Sequence, residues 1–126
     1  MVPRQYRLKH KKDFDALFSV GRFVGGDCVQ LKIWKINSET FPKRKYTTDD
    51  LKIGFVVSVK VHKRAVIRNR MKRRMREVVR LMLKEQALLP GYLIAVMAKP
   101  QIVDATYDEI SESITAVFQK AGIVVL

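Results

Sequence analysis

The sequence has a single cysteine, Cys28, so it can form neither an internal disulfide nor a cysteine-based zinc site. It has no apolar run approaching the ~20 residues of a membrane span, and no signal-peptide apolar stretch at its N-terminus. Its two histidines, His10 and His62, are far apart in the sequence, and its acidic residues lack the spacing of metal ligands. No glycine-rich phosphate loop or nucleophile elbow occurs. These absences predict a soluble, cytoplasmic chain without catalytic side chains of its own.

The chain is rich in positive charge, and much of it lies in one segment. The whole sequence has 25 Lys and Arg against 12 Asp and Glu, and residues 60–76 contain nine of these cations and no carboxylate. Such a segment repels itself unless a polyanion neutralises it, and nucleic-acid phosphates do so with release of counterions. A charge run is usually only a solvated surface, but here no acid occurs within a helical turn until Glu77. Nucleic acid is therefore the expected partner.

Hydrophobic patterning predicts one domain over residues 1–126, with residues 1–10 as an extended basic arm. The predicted elements are a helix over 11–20 capped by Gly21, strands over 28–36, 51–60 and 92–99, a basic helix over 65–85, and a last helix over 106–121 that opens on a capping box. The order α-β-β-α-β-α describes an α/β (α+β) two-layer sandwich. Its basic helix crosses between two strands, and a generic crossover of this kind is right-handed.

The basic helix combines an apolar arc with cations around the rest of its surface. The arc consists of Ile67, Met71, Met75, Val78, Val79 and Met82. Arginine predominates among the cations, and its planar guanidinium binds phosphate in two-point contacts and stacks on bases. Asn69 adds a neutral donor and acceptor, although alone it would be an ordinary exposed residue. The candidate nucleic-acid-binding residues are Arg64, Arg68, Asn69, Arg70, Lys72, Arg73 and Arg76.

Aromatic side chains add a second candidate contact. Phe14 and Phe18 share one face of the first helix, where they could equally be core residues. Lys32 and Trp34 lie on the predicted accessible face of the first strand. Aromatic rings beside cations form a platform on which single-stranded bases stack.

The segment 60–77 resembles the protein subunit of bacterial ribonuclease P. The family's R-N-R motif stands here as Arg68-Asn69-Arg70, after Lys60 and Arg64 and before a K-R pair and an R-E pair. The resemblance covers residues 6–122. It includes the first helix with its phenylalanines, the strand segment I-G-F-V-V and the strand that precedes Lys99-Pro100.

The resemblance implies a ribonucleoprotein endonuclease, a phosphodiester hydrolase that removes the 5′ leader from precursor tRNA. Its RNA subunit would bind Mg²⁺ and perform the hydrolysis, so neither a catalytic residue nor a metal site is expected in the protein. The protein would bind the catalytic RNA through the R-N-R helix and hold the single-stranded leader in a cleft lined by Phe14, Phe18 and Lys60. No membrane and no obligate protein partner are expected. The family fold is like a ribosomal-protein domain, with a left-handed crossover around the basic helix.

Two positions depart from the family pattern. Val59 stands where the first of two lysines is usual, and Lys32 stands where many members carry an aromatic residue. Trp34, two residues further on, could compensate, so Lys32 and Trp34 are included among the leader-binding candidates.

Three other functions stay open from the residues. They are a ribosomal or other structural RNA-binding protein, a DNA-binding module with the basic helix in a major groove, and a protein-only nuclease, which would need clustered carboxylates.

Overall fold

The computed structural model describes residues 2–37, 39–41, 46–85 and 87–124. Its elements are helices α1 (Lys11–Val20), α2 (Ala65–Lys84) and α3 (Tyr107–Ala121), and strands β1 (Arg22–Gly25), β2 (Val29–Lys35), β3 (Leu51–Val56) and β4 (Tyr92–Ala98). The mixed α/β class is confirmed. Among the described residues, none of the helices combines the length and hydrophobicity needed to cross a membrane. Parts of residues 37–50, the connection between β2 and β3, and of the apolar end 123–126 lie outside the described residues.

The four strands form one sheet in the order β1-β2-β4-β3. Strands β3 and β4 are parallel neighbours joined through α2, and the other two pairings are antiparallel. Ile94 of β4 is in register with Ile33 of β2 and with Ile53 of β3, so three isoleucines cross the middle of the sheet. The left-handed crossover stays a prediction from the resemblance.

The larger core lies between one face of the sheet and helices α2 and α3. Alternate residues of β2, Val29, Leu31 and Ile33, point into it because side chains along a strand alternate between faces. Helix α2 contributes its predicted apolar arc, of which Met71, Met75, Val78 and Val79 are buried. Helix α3 contributes an apolar stripe of Ile110, Ile114, Val117 and Phe118, all buried.

The opposite face of the sheet is only partly covered. Leu17 of α1 packs there with Trp34 and with Leu93 of β4, and Tyr46 from the 37–50 connection joins them. The prediction that Lys32 and Trp34 lie on an accessible face is therefore wrong, since they are 8% and 9% exposed. Helix α1 adds a partial layer that the two-layer description did not include.

The N-terminal segment differs from the predicted extended arm. Val2 and Leu8 are buried, and residues Arg4–Tyr6 form a turn of 3-10 helix. Arg7 forms a parallel bridge with Ile53, and the Leu8 N–H donates to the Ile53 carbonyl at 3.0 Å. Strand β3 lies at one edge of the sheet, where backbone groups are left unpaired. The N-terminal segment pairs with part of this edge.

The structure adds one strand and shortens another. Strand β1 was not predicted, because its four residues have only Val24 buried and show no alternation to recognise. Strand β3 ends at Val56 rather than at residue 60, and a turn follows in which the Val61 N–H donates to the Ser58 carbonyl. The prediction that Gly21 caps α1 is confirmed, and the cap has extended backbone (φ −73°). Glycine is needed there because an added Cβ would lie 2.7 Å from the Leu17 carbonyl oxygen.

Candidate nucleic-acid interface

Helix α2 displays its cations because its apolar arc is fixed against the sheet. Arg68 and Lys72 are half-buried along the flank of that arc. The other candidate RNA-binding residues of the helix and its N-cap are exposed, namely Arg64, Asn69, Arg70, Arg73 and Arg76. The structure therefore brings this candidate set onto one continuous element.

The nine cations of residues 60–76 have no carboxylate partners within the described part of the chain. Glu77, the first acid after the run, is engaged by Arg80, whose Nη2 and Nε donate to its two oxygens at 2.7 and 3.0 Å. These hydrogen bonds lower the pKa of Glu77 below its ordinary value. Because Glu77 is ionised and already paired with Arg80, the charge of the run is left available for an external anion.

Arg68 is an exception within the run because it binds the backbone of its own chain. Its Nη1 donates to the carbonyl oxygens of His62 at 3.0 Å and Lys63 at 2.7 Å. His62 also accepts a hydrogen bond at Nδ1 from the Arg64 N–H at 3.0 Å. Arg68 thereby fixes the turn that leads into α2.

A cleft of about 700 Å³ lies between the N-terminal segment, α1, β3 and α2. The ring of Phe14 lies against Gly54 of β3, where an added Cβ would overlap it. The residues that line the cleft include apolar Leu8, Phe14 and Phe55 and cationic Arg7, Lys9, Arg73 and Arg76. The cleft thus joins one predicted aromatic residue to two predicted cations of α2.

The other leader-binding candidates do not line this cleft. Phe18 is 40% exposed on α1, and Lys60 is exposed in the turn after β3. Trp34 is enclosed by Phe41 and Tyr46, with ring centroids 5.6 and 5.8 Å away in edge-to-face arrangements. No face of Trp34 is therefore open for stacking by a base.

Sequence reasoning missed several residues that the fold adds to this surface. The sequence does not show that the N-terminal segment docks on β3. The cleft residues that depend on this docking, Leu8, Lys9 and Phe55, were therefore missed. Phe23 was missed because β1 was missed. It is 58% exposed and lies across from Lys32, whose Nζ is 3.9 Å from the ring centroid.

The described residues offer little for metal or nucleophilic chemistry. Among them, no group of three or more His, Cys, Asp or Glu side chains is placed to hold a metal ion. Burial, followed by the charges of Glu109 and Asp27, raises the pKa of the Cys28 thiol. A raised pKa disfavours the thiolate, the nucleophilic form of cysteine.

Comparison with known proteins agrees with this arrangement. The family model for ribonuclease P matches residues 2–122. The ribonuclease P protein component of Symbiobacterium thermophilum is 32% identical over 97% of this chain and 96% of its own length. That of Microcystis aeruginosa is 29% identical over 98% and 96%. The solved ribonuclease P protein of Staphylococcus aureus superposes with a TM-score of 0.75 at 27% identity, covering 95% of this chain and 98% of that one.

The match extends through the fold as well as through the basic helix. It includes the N-terminal segment, α1, the sheet and α3, since only residues 123–126 at one end and Met1 at the other fall outside it. The chain belongs to the family of ribonuclease P protein components, which take part in tRNA processing.

Proposed function

We propose that this chain binds two RNAs, the catalytic RNA of ribonuclease P and the single-stranded 5′ leader of precursor tRNA. The observation that carries the proposal is the cleft in which Phe14 lies near Arg73 and Arg76. A base can stack on an aromatic ring while neighbouring guanidinium groups bind its phosphates. The other cations of residues 60–76 extend the same charge along the helix, where a folded RNA can be bound.

In this proposal the phosphodiester is hydrolysed by the RNA subunit with its Mg²⁺, and the protein supplies binding. A metal ion activates water and stabilises the charge of the transition state. The protein's cations neutralise phosphates of both RNAs, so less free Mg²⁺ is needed to hold them together. Arg73 and Arg76 suit this role because they have no carboxylate partners among the described residues.

The leader-binding role is divided among the candidates according to their exposure. Phe14 offers a ring at the cleft, Phe18 offers an exposed ring on the same helix, and Lys60 offers an exposed ammonium group after β3. Trp34 is not included as a stacking residue, because its neighbours cover it. Its contribution is to hold α1 and the 37–50 connection on the sheet.

The test is a cleavage assay with a bacterial ribonuclease P RNA at limiting Mg²⁺ and a precursor tRNA that carries a leader. The wild-type protein should increase cleavage. The double variant Arg73→Ala/Arg76→Ala should lose most of the increase, because removing two phosphate contacts lowers affinity by roughly tenfold or more at moderate salt. Lys84→Ala, an exposed cation at the end of the same helix, is the matched control and should behave as wild type.

A second comparison separates the leader from the rest of the substrate. Phe14→Leu keeps an apolar side chain over Gly54 but removes the ring, so binding of the leader-carrying precursor should weaken while binding of mature tRNA stays the same. A wild-type protein that gives no increase in cleavage would refute the proposal. Cleavage by the protein without RNA would show a protein-only nuclease, and tighter binding to duplex DNA than to the RNAs would favour a DNA-binding module.

A further inference from the structure

Phe23 is the most exposed aromatic side chain among the described residues, at 58%. Strand β1 forms the edge of the sheet, and its pairing with β2 sets Phe23 directly across from Lys32. Both side chains point to the face on which α1 packs, since Lys32 shares that face with Trp34. The ring contacts the ammonium group of Lys32, and the rest of its surface lies in water.

Lys32 makes this position unusual. It is 8% exposed, and its Nζ lies 3.9 Å from the centroid of the Phe23 ring. Within the described part of the chain the ammonium group has no carboxylate partner. A cation–π contact offsets only part of the cost of removing an ammonium group from water. An anion brought beside Lys32 would therefore be bound favourably.

There is room for a ligand next to the ring. Gly25 follows Phe23 on the same face of β1, and a Cβ built there would meet no heavy atom within 4 Å. Gln30 of β2 lies across from Gly25 and is half-buried. The surface therefore runs from the Phe23 ring and the Lys32 cation to the open position at Gly25, beside the Gln30 amide.

We propose that Phe23 and Lys32 form a subsite for one nucleotide of the single-stranded leader. The base stacks on the exposed surface of the Phe23 ring, Lys32 neutralises the adjoining phosphate, and the Gln30 amide lies beside the edge of the base. This inference rests on the proposed leader binding and adds a residue to it.

The experiment uses the holoenzyme assembled with a bacterial ribonuclease P RNA. Precursor tRNAs with one abasic position, moved stepwise through the leader, are bound to wild-type and Phe23→Ala holoenzymes. With the wild-type protein, one abasic position should weaken binding roughly tenfold, as expected for loss of one stacked base. Phe23→Ala should weaken binding of the intact leader by about as much, and that same abasic position should then have no further effect.

Matched variants make the result specific. Tyr107→Ala removes an exposed aromatic side chain from α3, which packs on the opposite face of the sheet, and should bind as wild type. Phe23→Trp should restore binding, whereas Phe23→Leu, which keeps an apolar side chain without a ring, should not. Lys32→Met should flatten the slope of log affinity against log salt by about one unit.

The possible failures are distinguishable. One outcome is that the leader adds the same affinity to the wild-type and Phe23→Ala holoenzymes. That result would overturn the subsite and leave the proposal of leader binding intact. Equal weakening of precursor and mature tRNA by Phe23→Ala also overturns it, because the effect would then lie in assembly. A leader that adds no affinity to the wild-type holoenzyme overturns both proposals.

Discussion

The guanidinium of Arg68 is already hydrogen-bonded to the backbone, and among the described residues the other cations of residues 60–76 make no such side-chain bond. It donates to two carbonyl oxygens of the preceding turn, at His62 and Lys63. A cation in the first turn of a helix is opposed by the helix dipole, and these carbonyl oxygens offset that effect. The first arginine of the R-N-R motif thus orients the N-terminus of α2, whereas Arg70, the second, is exposed.

This difference predicts that the two arginines will respond differently to substitution. Arg68→Ala should lower the free energy of unfolding by about 1–2 kcal/mol, because two carbonyl groups lose a charged donor. Arg70→Ala should change it by less than about 0.5 kcal/mol, as is usual for an exposed side chain, while still weakening RNA binding. Urea denaturation of the free protein measures both. Equal destabilisation by the two variants would contradict the structural role assigned to Arg68.

Among the secondary-structure elements, α3 has the most complete capping at both ends. Thr106 accepts a hydrogen bond at Oγ1 from the Glu109 N–H at 3.1 Å, and its own N–H donates to Glu109 Oε1 at 3.0 Å. At the other end, Gly122 adopts a left-handed conformation with φ 78°, which glycine accepts without strain. These bonds satisfy backbone groups that a helix end otherwise leaves unpaired.

The capping box predicts a pH dependence of stability. The hydrogen bonds from Thr106 lower the pKa of Glu109 below its ordinary value of 4.5. A carboxyl group with a lowered pKa in the folded state contributes stability that is present above pH 4.5 and is lost as the pH falls through its folded pKa. The free energy of unfolding should therefore fall less steeply below pH 4.5 in Glu109→Gln than in wild type. Thr106→Ala should cost about 1 kcal/mol at neutral pH. Identical pH profiles for Glu109→Gln and wild type would contradict this prediction.

The helices were predictable because periodicity and caps are local signals. The sequence predicted α1 at its observed bounds and α2 to within a residue, since their apolar spacing and end residues lie within the segments themselves. Strand β1 was not predictable in this way, because four residues with one buried side chain have no pattern of their own. Its existence depends on pairing with β2, which is a tertiary contact.

In the candidate site, too, residues marked by a local pattern were found from the sequence, and residues that depend on tertiary contacts were not. The cations of α2 could be found because their charge and helical spacing are visible within one segment. In the structure these cations are exposed or half-buried. Trp34 was assigned to the wrong environment because its burial depends on Phe41 and Tyr46, which come from a connection without periodicity. Phe23 and the N-terminal lining of the cleft depend on docked segments in the same way.

At the scale of the whole molecule, charge is unevenly distributed. Within the described chain the cations of residues 60–76 have no carboxylate partners, whereas Asp108, Glu109 and Glu112 lie on the first turns of α3. The two helices pack on the same face of the sheet, but among the described residues no acid of α3 forms a salt bridge with residues 60–76, so the α2 side stays strongly cationic. Self-repulsion on that side opposes folding when no polyanion is bound.

This repulsion predicts that salt stabilises the free protein. Raising NaCl from about 0.01 M to about 1 M shortens the Debye length from ~30 Å to ~3 Å, so repulsion among the α2 cations is screened. The free energy of unfolding should rise by about 1 kcal/mol, the sum of a few like-charge pairs at helical spacing. Arg70→Ala/Arg73→Ala should be more stable than wild type at low salt and should gain less from added salt. The matched control, Lys35→Ala/Lys84→Ala, removes two exposed cations outside residues 60–76 and should gain about as much as wild type. If both double variants respond to salt equally, the repulsion is a property of net charge and not of the cationic run on α2.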